Sequence, residues 1–368
     1  MKILNVAGAR PNFMKIAPIM AAMAARQDME GVIVHTGQHY DDRMSRVFFE
    51  DLGIPAPRIN LEVGSGERME QIRRIAERFD PVVRREKPDA VLVVGDVTST
   101  VACAQVAKHH GIPIVHVEAG LRSFDLEMPE EINRIETDKL SDLLFVTEPS
   151  GMENLAREGV PGKAFHVGNV MIDTLVGHLG KARALAVSER LGLEPGAYFV
   201  GTFHRPSNVD SAPRLTNVLS IIEHAAGYHP IVLPLHPRTR GSLERHGLQK
   251  RLEGQANIRI VDPLGYLDFV SLIDRARAII TDSGGIQEES TYLKVPCITM
   301  RDNTERPITV EIGSNVLAGT DPDQVRLAVD RVMSGDIRPA RVPELWDGHA
   351  AERIVEILAR ELQDTKSQ

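Results

Sequence analysis

The sequence predicts an α/β protein built from two open, parallel sheets. Three observations lead there. Short, wholly apolar runs alternate with longer amphipathic stretches, the pattern of parallel β/α/β units. The runs are apolar throughout rather than alternating, as strands buried on both faces are. The pattern also stops and restarts midway along the 368 residues, a length suited to about two domains.

In the first half the apolar runs are Ile3–Ala7, Val32–His35, Ala90–Val94, Ile114–Val117, Leu143–Thr147 and Ala164–Val167. Helical periodicity covers Met14–Arg26, Val101–His109 and Glu131–Leu140. The second set of runs is Tyr198–Thr202, Ile231–Leu235, Ile258–Val261, Ala278–Thr281 and Cys297–Met300. Between the sets, Val176–Gly196 reads as a helix followed by a Gly/Pro turn. Residues 1–167 and 168–348 are therefore expected to form the two domains. A last helical pattern, Gly348–Leu362, has no strand after it, and residues 349–368 are expected to pack back on the first domain.

Composition narrows the function. The net charge is −8, with 42% hydrophobic and 26% charged residues. That is ordinary for a folded globular chain and argues against a dedicated nucleic-acid binder, which needs a basic surplus. The two cysteines, Cys103 and Cys297, lie apart among apolar residues. They read as small buried side chains, with no zinc cage or disulfide framework. No histidine spacing suggests a metal site. No run approaches the roughly 18 apolar residues of a membrane span. The chain opens at once on a strand-like run with no leader pattern, so a cytoplasmic protein is expected.

Polar clusters follow directly on the strands: Gly8-Ala9-Arg10-Pro11, Thr36-Gly37-Gln38-His39, Gly95-Asp96, Glu118-Ala119-Gly120, Phe203-His204-Arg205, His236-Pro237-Arg238, Asp282-Ser283-Gly284-Gly285 and Arg301–Arg306. Open parallel sheets bind ligands at the carboxyl ends of their strands, and two facing sheets would gather these clusters around one interdomain cleft.

Asp282–Glu289 carries the clearest chemistry. Asp282 or Ser283 can cap a helix starting near Gly285. The glycine pair permits close backbone approach, and a helix start offers N–H groups to phosphate. Glu289, a turn later, could take sugar hydroxyls. A plain capped helix is the alternative; the adjacent acid favours a nucleotide. No Gly-x-x-x-x-Gly-Lys-Ser/Thr loop occurs, and Gly64-Ser65-Gly66 lacks the third glycine of a dinucleotide fingerprint, so P-loop and NAD chemistry are disfavoured.

Carboxylates form a second group. Asp96 is either a site acid or the N-cap of the helix after it. Glu130 and Glu131 are either site acids or favourable charges on a helix start. Glu118, just after Val115-His116-Val117, has no capping role available. Acids gathered in a cleft can have their proton affinities pushed apart, which supplies acid and base roles. Among the histidines His204 is the fair candidate and His236 a weaker one. Arg10, Lys15, Arg122, Arg205, Arg238 and Arg306 add positive charge near strand ends, enough to neutralise a diphosphate if they converge.

Taken in order, these segments resemble the non-hydrolysing UDP-N-acetylglucosamine 2-epimerases. The likeness spans nearly the whole chain. It includes Gly8–Pro11 with Lys15, Gly95-Asp96, Val117–Ser123, Pro129–Arg134, Gly168-Asn169, His204-Arg205, Thr281–Glu289 and Thr304–Pro307. The resemblance implies two Rossmann-like, doubly wound domains in a glycosyltransferase-B-like arrangement. It also implies a homodimer, no nicotinamide or other cofactor, and a UDP-sugar substrate. Asp96, Glu118 and Glu130 would be the catalytic acids, with His204 in support. Ser283, Gly284 and Gly285 would hold the diphosphate, Glu289 the ribose, and Phe269 would lie by the uracil unless it is core packing. Arg10, Lys15 and Arg306 would line the phosphate and sugar region.

The chain departs from the family pattern twice. Ser207 replaces a glutamate in Thr202–Asn208. Substrate-activated members carry Gln-His-x-x-Met-Leu, where this chain has Gln38-His39-Tyr40-Asp41-Asp42-Arg43-Met44. Allosteric activation is therefore expected to be weak or absent. Initial rates should respond without sigmoidicity to UDP-N-acetylmannosamine; a clearly sigmoidal curve would contradict this.

Overall fold

The computed structural model describes residues 1–37, 49, 52–64 and 66–366. The chain divides into two units, Met1–Gly177 with Glu344–Gln368, and His178–Pro343.

The first unit holds a seven-stranded sheet: β1 (Lys2–Ala7), β2 (Glu30–His35), β3 (Ile59–Asn60), β4 (Ala90–Val94), β5 (Ile114–Ala119), β6 (Leu143–Val146) and β7 (Lys163–His166). Their order is β3-β2-β1-β4-β5-β6-β7, every pair parallel. Val91–Val94 and Ile114–Val117 are fully buried, as strands covered on both faces must be. Leu4, Val6, Val91 and Val93 pack under helices Arg68–Glu86 and Thr98–His109, through Ile75, Phe79, Ala102 and Val106.

The second unit holds β8 (Phe199–Thr202), β9 (Ile231–Pro234), β10 (Ile258–Val261), β11 (Ala278–Thr281), β12 (Cys297–Thr299) and β13 (Asn315–Leu317), ordered β10-β9-β8-β11-β12-β13 and again all parallel. Both sheets reverse their winding beside the first strand of the unit. The reversal lies between β1 and β4 in one, and between β8 and β11 in the other. Such switch points open a crevice at the strand carboxyl ends.

The structure adds two strands that the sequence reading lacks, β3 and β13. Both are edge strands of two or three residues, too short to show a pattern. It also draws the domain boundary ten residues later than expected, at 177/178. The reason lies in helix Val170–Ala184, whose first turns belong to the first unit. Thr174 Oγ1 donates to the Met14 carbonyl at 2.6 Å, and Asp173 accepts from the Ala350 and Ala351 amides at 3.1 and 2.6 Å. The return crossing falls at 343/344 rather than 348/349, because Trp346 is buried in the first unit and donates to the Thr147 carbonyl. Helix Ala350–Lys366 then packs on helix Arg10–Ala24.

Candidate functional site

In the first unit, the carboxyl ends of β1, β4 and β5 bring four predicted segments together. Asn12 ties the first turn down: its Oδ1 accepts from the Gly8 and Ala9 amides, and its Nδ2 donates to the Val94 carbonyl at the end of β4. Helix Arg10–Ala24 then aims Lys15 at the neighbouring strand ends. Lys15 is buried and ion-paired with Glu118. Gly95 closes against the same pair: a Cβ built on it would lie 3.1 Å from Lys15 Nζ and 3.7 Å from Glu118 Oε2. Its φ of +65° also favours glycine.

Glu118 owes its placement to a β-bulge. Val117 pairs with Phe145 and Ala119 with Val146, so Glu118 is the extra residue between them. Its φ of +72° lies in the left-handed region, which costs a non-glycine residue about 1–3 kcal/mol. Bulges re-aim side chains next to sites. Here the bulge turns a carboxylate into the switch-point crevice and onto Lys15.

Asp96 is not a helix cap. The N-cap of helix Thr98–His109 is Val97, without a side-chain hydrogen bond. The Asp96 carboxylate instead pairs with Arg134, and the Asp96 carbonyl accepts from Asn133 Nδ2 at 2.9 Å. The two adjacent glutamates separate sharply. Glu131 is buried and structural: it accepts from the Ser123 amide and hydroxyl, the Phe124 amide and Arg134. Glu130 stands on the exposed face of the same helix start. Arg10 opens its helix, but its side chain lies outside the described residues, as do Gln38–Met44 of the predicted activator segment.

Arg122 is withdrawn from the anion-binding set. It is buried and engaged with Asp138 and Glu158, each at 2.7 Å. Arg238 likewise pairs with Asp210 at 2.6 Å, and His236 caps its own helix by accepting from the Arg238 amide.

The second unit gathers the other predicted residues at the ends of β8 and β11. Asp282 is fully buried, and its carboxylate organises the segment after β8 rather than capping the next helix. It accepts from the His204 and Arg205 amides, from Asn208 Nδ2, and lies 3.0 Å from His204 Nδ1. Burial pushes the Asp282 carboxyl up, but the His204 ring and these donors outweigh it and hold it below its ordinary value. His204 is thereby oriented while its side chain stays 42% exposed.

Ser283 occupies the N-cap of helix Gly284–Leu293 and makes no side-chain cap hydrogen bond. The expectation that Asp282 or Ser283 caps this helix is therefore corrected. The uncapped start suits an anionic ligand better than a filled one would. Gly284 is hemmed in: a Cβ there would meet Glu305 Oε1 at 2.9 Å and Arg306 Nη1 at 3.0 Å. A Cβ on Gly285 would meet nothing within 4 Å. Arg306 is anchored by Glu288 at 2.8 Å and by Glu305. Glu289 is buried on the same helix beside Tyr266. Burial pushes its carboxyl up to about 7, the Tyr266 hydroxyl pulls it down, and neighbouring Glu288 adds to the rise. Phe269 is half-buried, with part of its surface packed against the core cluster that includes Val187, Tyr198 and Ile279.

The sequence reading gave no role to Asn12, Arg134 or Tyr266. Of these only Arg134 left a signal, three residues after Glu131 on one helix. Gly64-Ser65-Gly66 leads into a helix whose cap is Glu67, which accepts from the Met69 and Glu70 amides. Ser65 lies outside the described residues. Among the described residues no three His, Cys, Asp or Glu side chains converge as metal ligands would, and no helix is long and apolar enough to cross a membrane.

Residues 21–359 match the family model described as UDP-N-acetylglucosamine 2-epimerase. The chain is 42% identical over 365 residues to a UDP-N-acetylglucosamine 2-epimerase of Methanocaldococcus jannaschii, covering 97% of this chain and 99% of that protein. It is 40% identical over 370 residues to a UDP-2,3-diacetamido-2,3-dideoxy-D-glucuronate 2-epimerase of Pseudomonas aeruginosa, covering 98% and 100%. A crystal structure of the Methanocaldococcus jannaschii UDP-GlcNAc 2-epimerase in complex with UDP-GlcNAc and UDP superposes with a TM-score of 0.89. The match is 41% identical and covers 98% of this chain and 100% of that one.

Proposed function

The chain belongs to the UDP-N-acetylglucosamine 2-epimerase family, and we propose that it interconverts UDP-N-acetylglucosamine and UDP-N-acetylmannosamine. One observation carries the reading beyond family membership. Each unit presents at its own switch point half of what the chemistry needs: acids in the first, an uncapped helix start with two glycines in the second.

The C2 proton of the sugar is not acidic by itself, so cleavage at C1 must lead. The C1–O bond breaks with its electron pair leaving on UDP, a base takes the C2 proton, and a C1–C2 double bond forms. The products of this half-reaction are 2-acetamidoglucal and UDP. UDP then adds back at C1 while a proton is delivered to the opposite face of C2. Two faces require two proton-handling groups. Asp96, Glu118 and Glu130 are the candidates in the first unit, with His204 in support from the second. Carboxylates near the ring also stabilise the positive charge that develops at C1. The helix start at Ser283-Gly284-Gly285 takes the diphosphate, with Arg10, Lys15 and Arg306 lining the phosphate and sugar region. Glu289 takes the ribose hydroxyls and Phe269 lies by the uracil. No cofactor enters this scheme. The assembly proposed is a cytoplasmic homodimer, and sedimentation reads its mass directly.

Proton NMR of the protein with UDP-N-acetylglucosamine in deuterated water tests the reading. Appearance of UDP-N-acetylmannosamine carrying deuterium at C2 is the expected result; UDP binding with no exchange overturns it. The 40% identity to the Pseudomonas aeruginosa enzyme favours a second reading, epimerisation of UDP-2,3-diacetamido-2,3-dideoxyglucuronate. Side-by-side turnover of the two substrates separates them.

Gly285→Ala isolates the diphosphate contact. The added methyl meets no protein atom, and alanine favours a helix over glycine by about 1 kcal/mol, so thermal stability should hold or rise. The methyl would occupy the space offered to phosphate, and UDP affinity should fall about tenfold, the worth of one hydrogen bond to a charged group. Titration calorimetry beside a melting curve reads both; unchanged affinity would remove Gly285 from the site.

A further inference from the structure

A buried charge network in the first unit reaches the turns that carry Asp96 and Glu118, and the mechanism above does not use it. His116 lies on β5, fully buried, two residues before Glu118. Its Nε2 is 2.9 Å from the Gly95 carbonyl, the residue before Asp96. Its Nδ1 is 2.7 Å from Asp138 Oδ1. Asp138, also fully buried, uses its other oxygen to accept from the Gly120 amide at 3.2 Å and from Arg122 at 2.7 Å. Arg122 continues to Glu158 at 2.7 Å.

We infer that His116 is a positioning residue, a doubly protonated strut that fixes the Asp96-bearing turn against the Glu118-bearing bulge. Geometry requires two donors on the ring. The Gly95 carbonyl can only accept. Asp138 accepts from Gly120 and Arg122, and it is an acceptor toward His116 as well. Burial pushes the Asp138 carboxyl up, yet the His116 contact and the Arg122 guanidinium outweigh it and keep it below its ordinary value. The groups facing the ring are Asp138 from helix Pro129–Leu140, Arg122 from the turn after β5 and, through Arg122, Glu158 from helix Pro149–Glu158. Asp138 and Arg122 are buried, and Glu158 is the surface end of the network.

The two ring edges act on different turns. The Nε2 edge holds the Gly95 carbonyl and hence the direction in which Asp96 leaves β4. The Nδ1 edge holds Asp138, which through the Gly120 amide pins the backbone just past Glu118. That pin helps keep Glu118 at its positive φ. The ring thus spans two acid-bearing turns without touching substrate.

Single-ended side chains separate the two edges. In His116→Gln the amide reaches toward the Gly95 carbonyl; in His116→Asn it reaches only the Asp138 side. This inference rests on the proposed epimerase activity, so wild-type exchange of deuterium into C2 is measured first; its absence removes that reading and leaves the ring assignment to the diffraction experiment below. With wild-type activity in hand, His116→Asn is expected to lower kcat about a hundredfold, the cost of roughly 1 Å of misplacement, with KM and UDP affinity within about twofold. His116→Gln should retain more activity than His116→Asn. Equal kcat in wild type and both folded variants overturns the inference, as does a loss of UDP affinity parallel to the loss of kcat. Should neither variant fold, neutron diffraction from wild-type crystals grown at pH 8 decides. Deuterium on both ring nitrogens of His116 is expected; a bare nitrogen on either edge overturns it.

Discussion

Asp96→Asn is expected to lower turnover of UDP-N-acetylglucosamine about a thousandfold, within the range that positioned acid–base groups contribute. UDP affinity should stay within about twofold, a loss in kcat rather than in uniform binding. The substitution is clean because the amide keeps the shape of the carboxylate and its side chain is only partly buried, at 26% exposure. Arg134 retains Glu131 as its partner at 2.6 Å, so no cation is stranded. Glu118→Gln should cause a comparable loss with a different signature. It removes the charge opposite buried Lys15, and breaking such a pair costs about 3–5 kcal/mol. A melting curve must therefore accompany it. Deuterium exchange at C2 without net epimerisation in either variant would assign that carboxylate to one face only. Full activity in Asp96→Asn would remove Asp96 from the chemistry.

Much of this arrangement was legible in the residue order. Apolar runs bracketed by turn residues located eleven of the strands, because a strand buried on both faces has no polar positions to blur it. The rule that ligands gather at strand carboxyl ends then picked out Asp96, Glu118, His204 and Ser283-Gly284-Gly285 in their separate units. What escaped depended on contacts between segments distant in sequence. Nothing local says that Arg122 turns inward to Asp138 and Glu158, because an arginine at a strand end looks the same whether its partner is a ligand or a buried acid. Nor does a sequence distinguish Glu130 from Glu131. The helical turn of about 100° per residue alone decides that one faces solvent and the other the Ser123 and Phe124 amides. The bulge at Glu118 is the clearest case. It shows only in the pairing register of β5 with β6, and it sets where the carboxylate points.

Affinity for the UDP-sugar should depend on pH through Glu289. Burial raises its carboxyl to about 7, so near neutrality the unliganded protein holds it partly protonated. Ribose hydroxyls donate best to a carboxylate, so binding selects the ionised form. The sign follows. As pH falls through 7 the competent fraction shrinks, and affinity at pH 6 should be about tenfold below that at pH 8. The raised value has the opposite consequence for unliganded stability: protonation favours the fold at low pH, and that contribution is lost as pH rises from the ordinary carboxyl range through about 7. UDP-N-acetylglucosamine is the right probe, since its diphosphate diester has no proton titrating in this window, and Asp96→Asn slows turnover during the titration. Glu289→Gln in that background should flatten the pH dependence. Glu289→Ala should weaken binding about a hundredfold at pH 8 by deleting charge-assisted hydrogen bonds to two hydroxyls. Tyr266→Phe gives an independent reading. The Tyr266 hydroxyl steadies the Glu289 carboxylate, so its removal should move the affinity midpoint to higher pH. An affinity that is flat in pH, or that strengthens on acidification, would mean that Glu289 meets the nucleotide as a neutral acid or does not meet it at all.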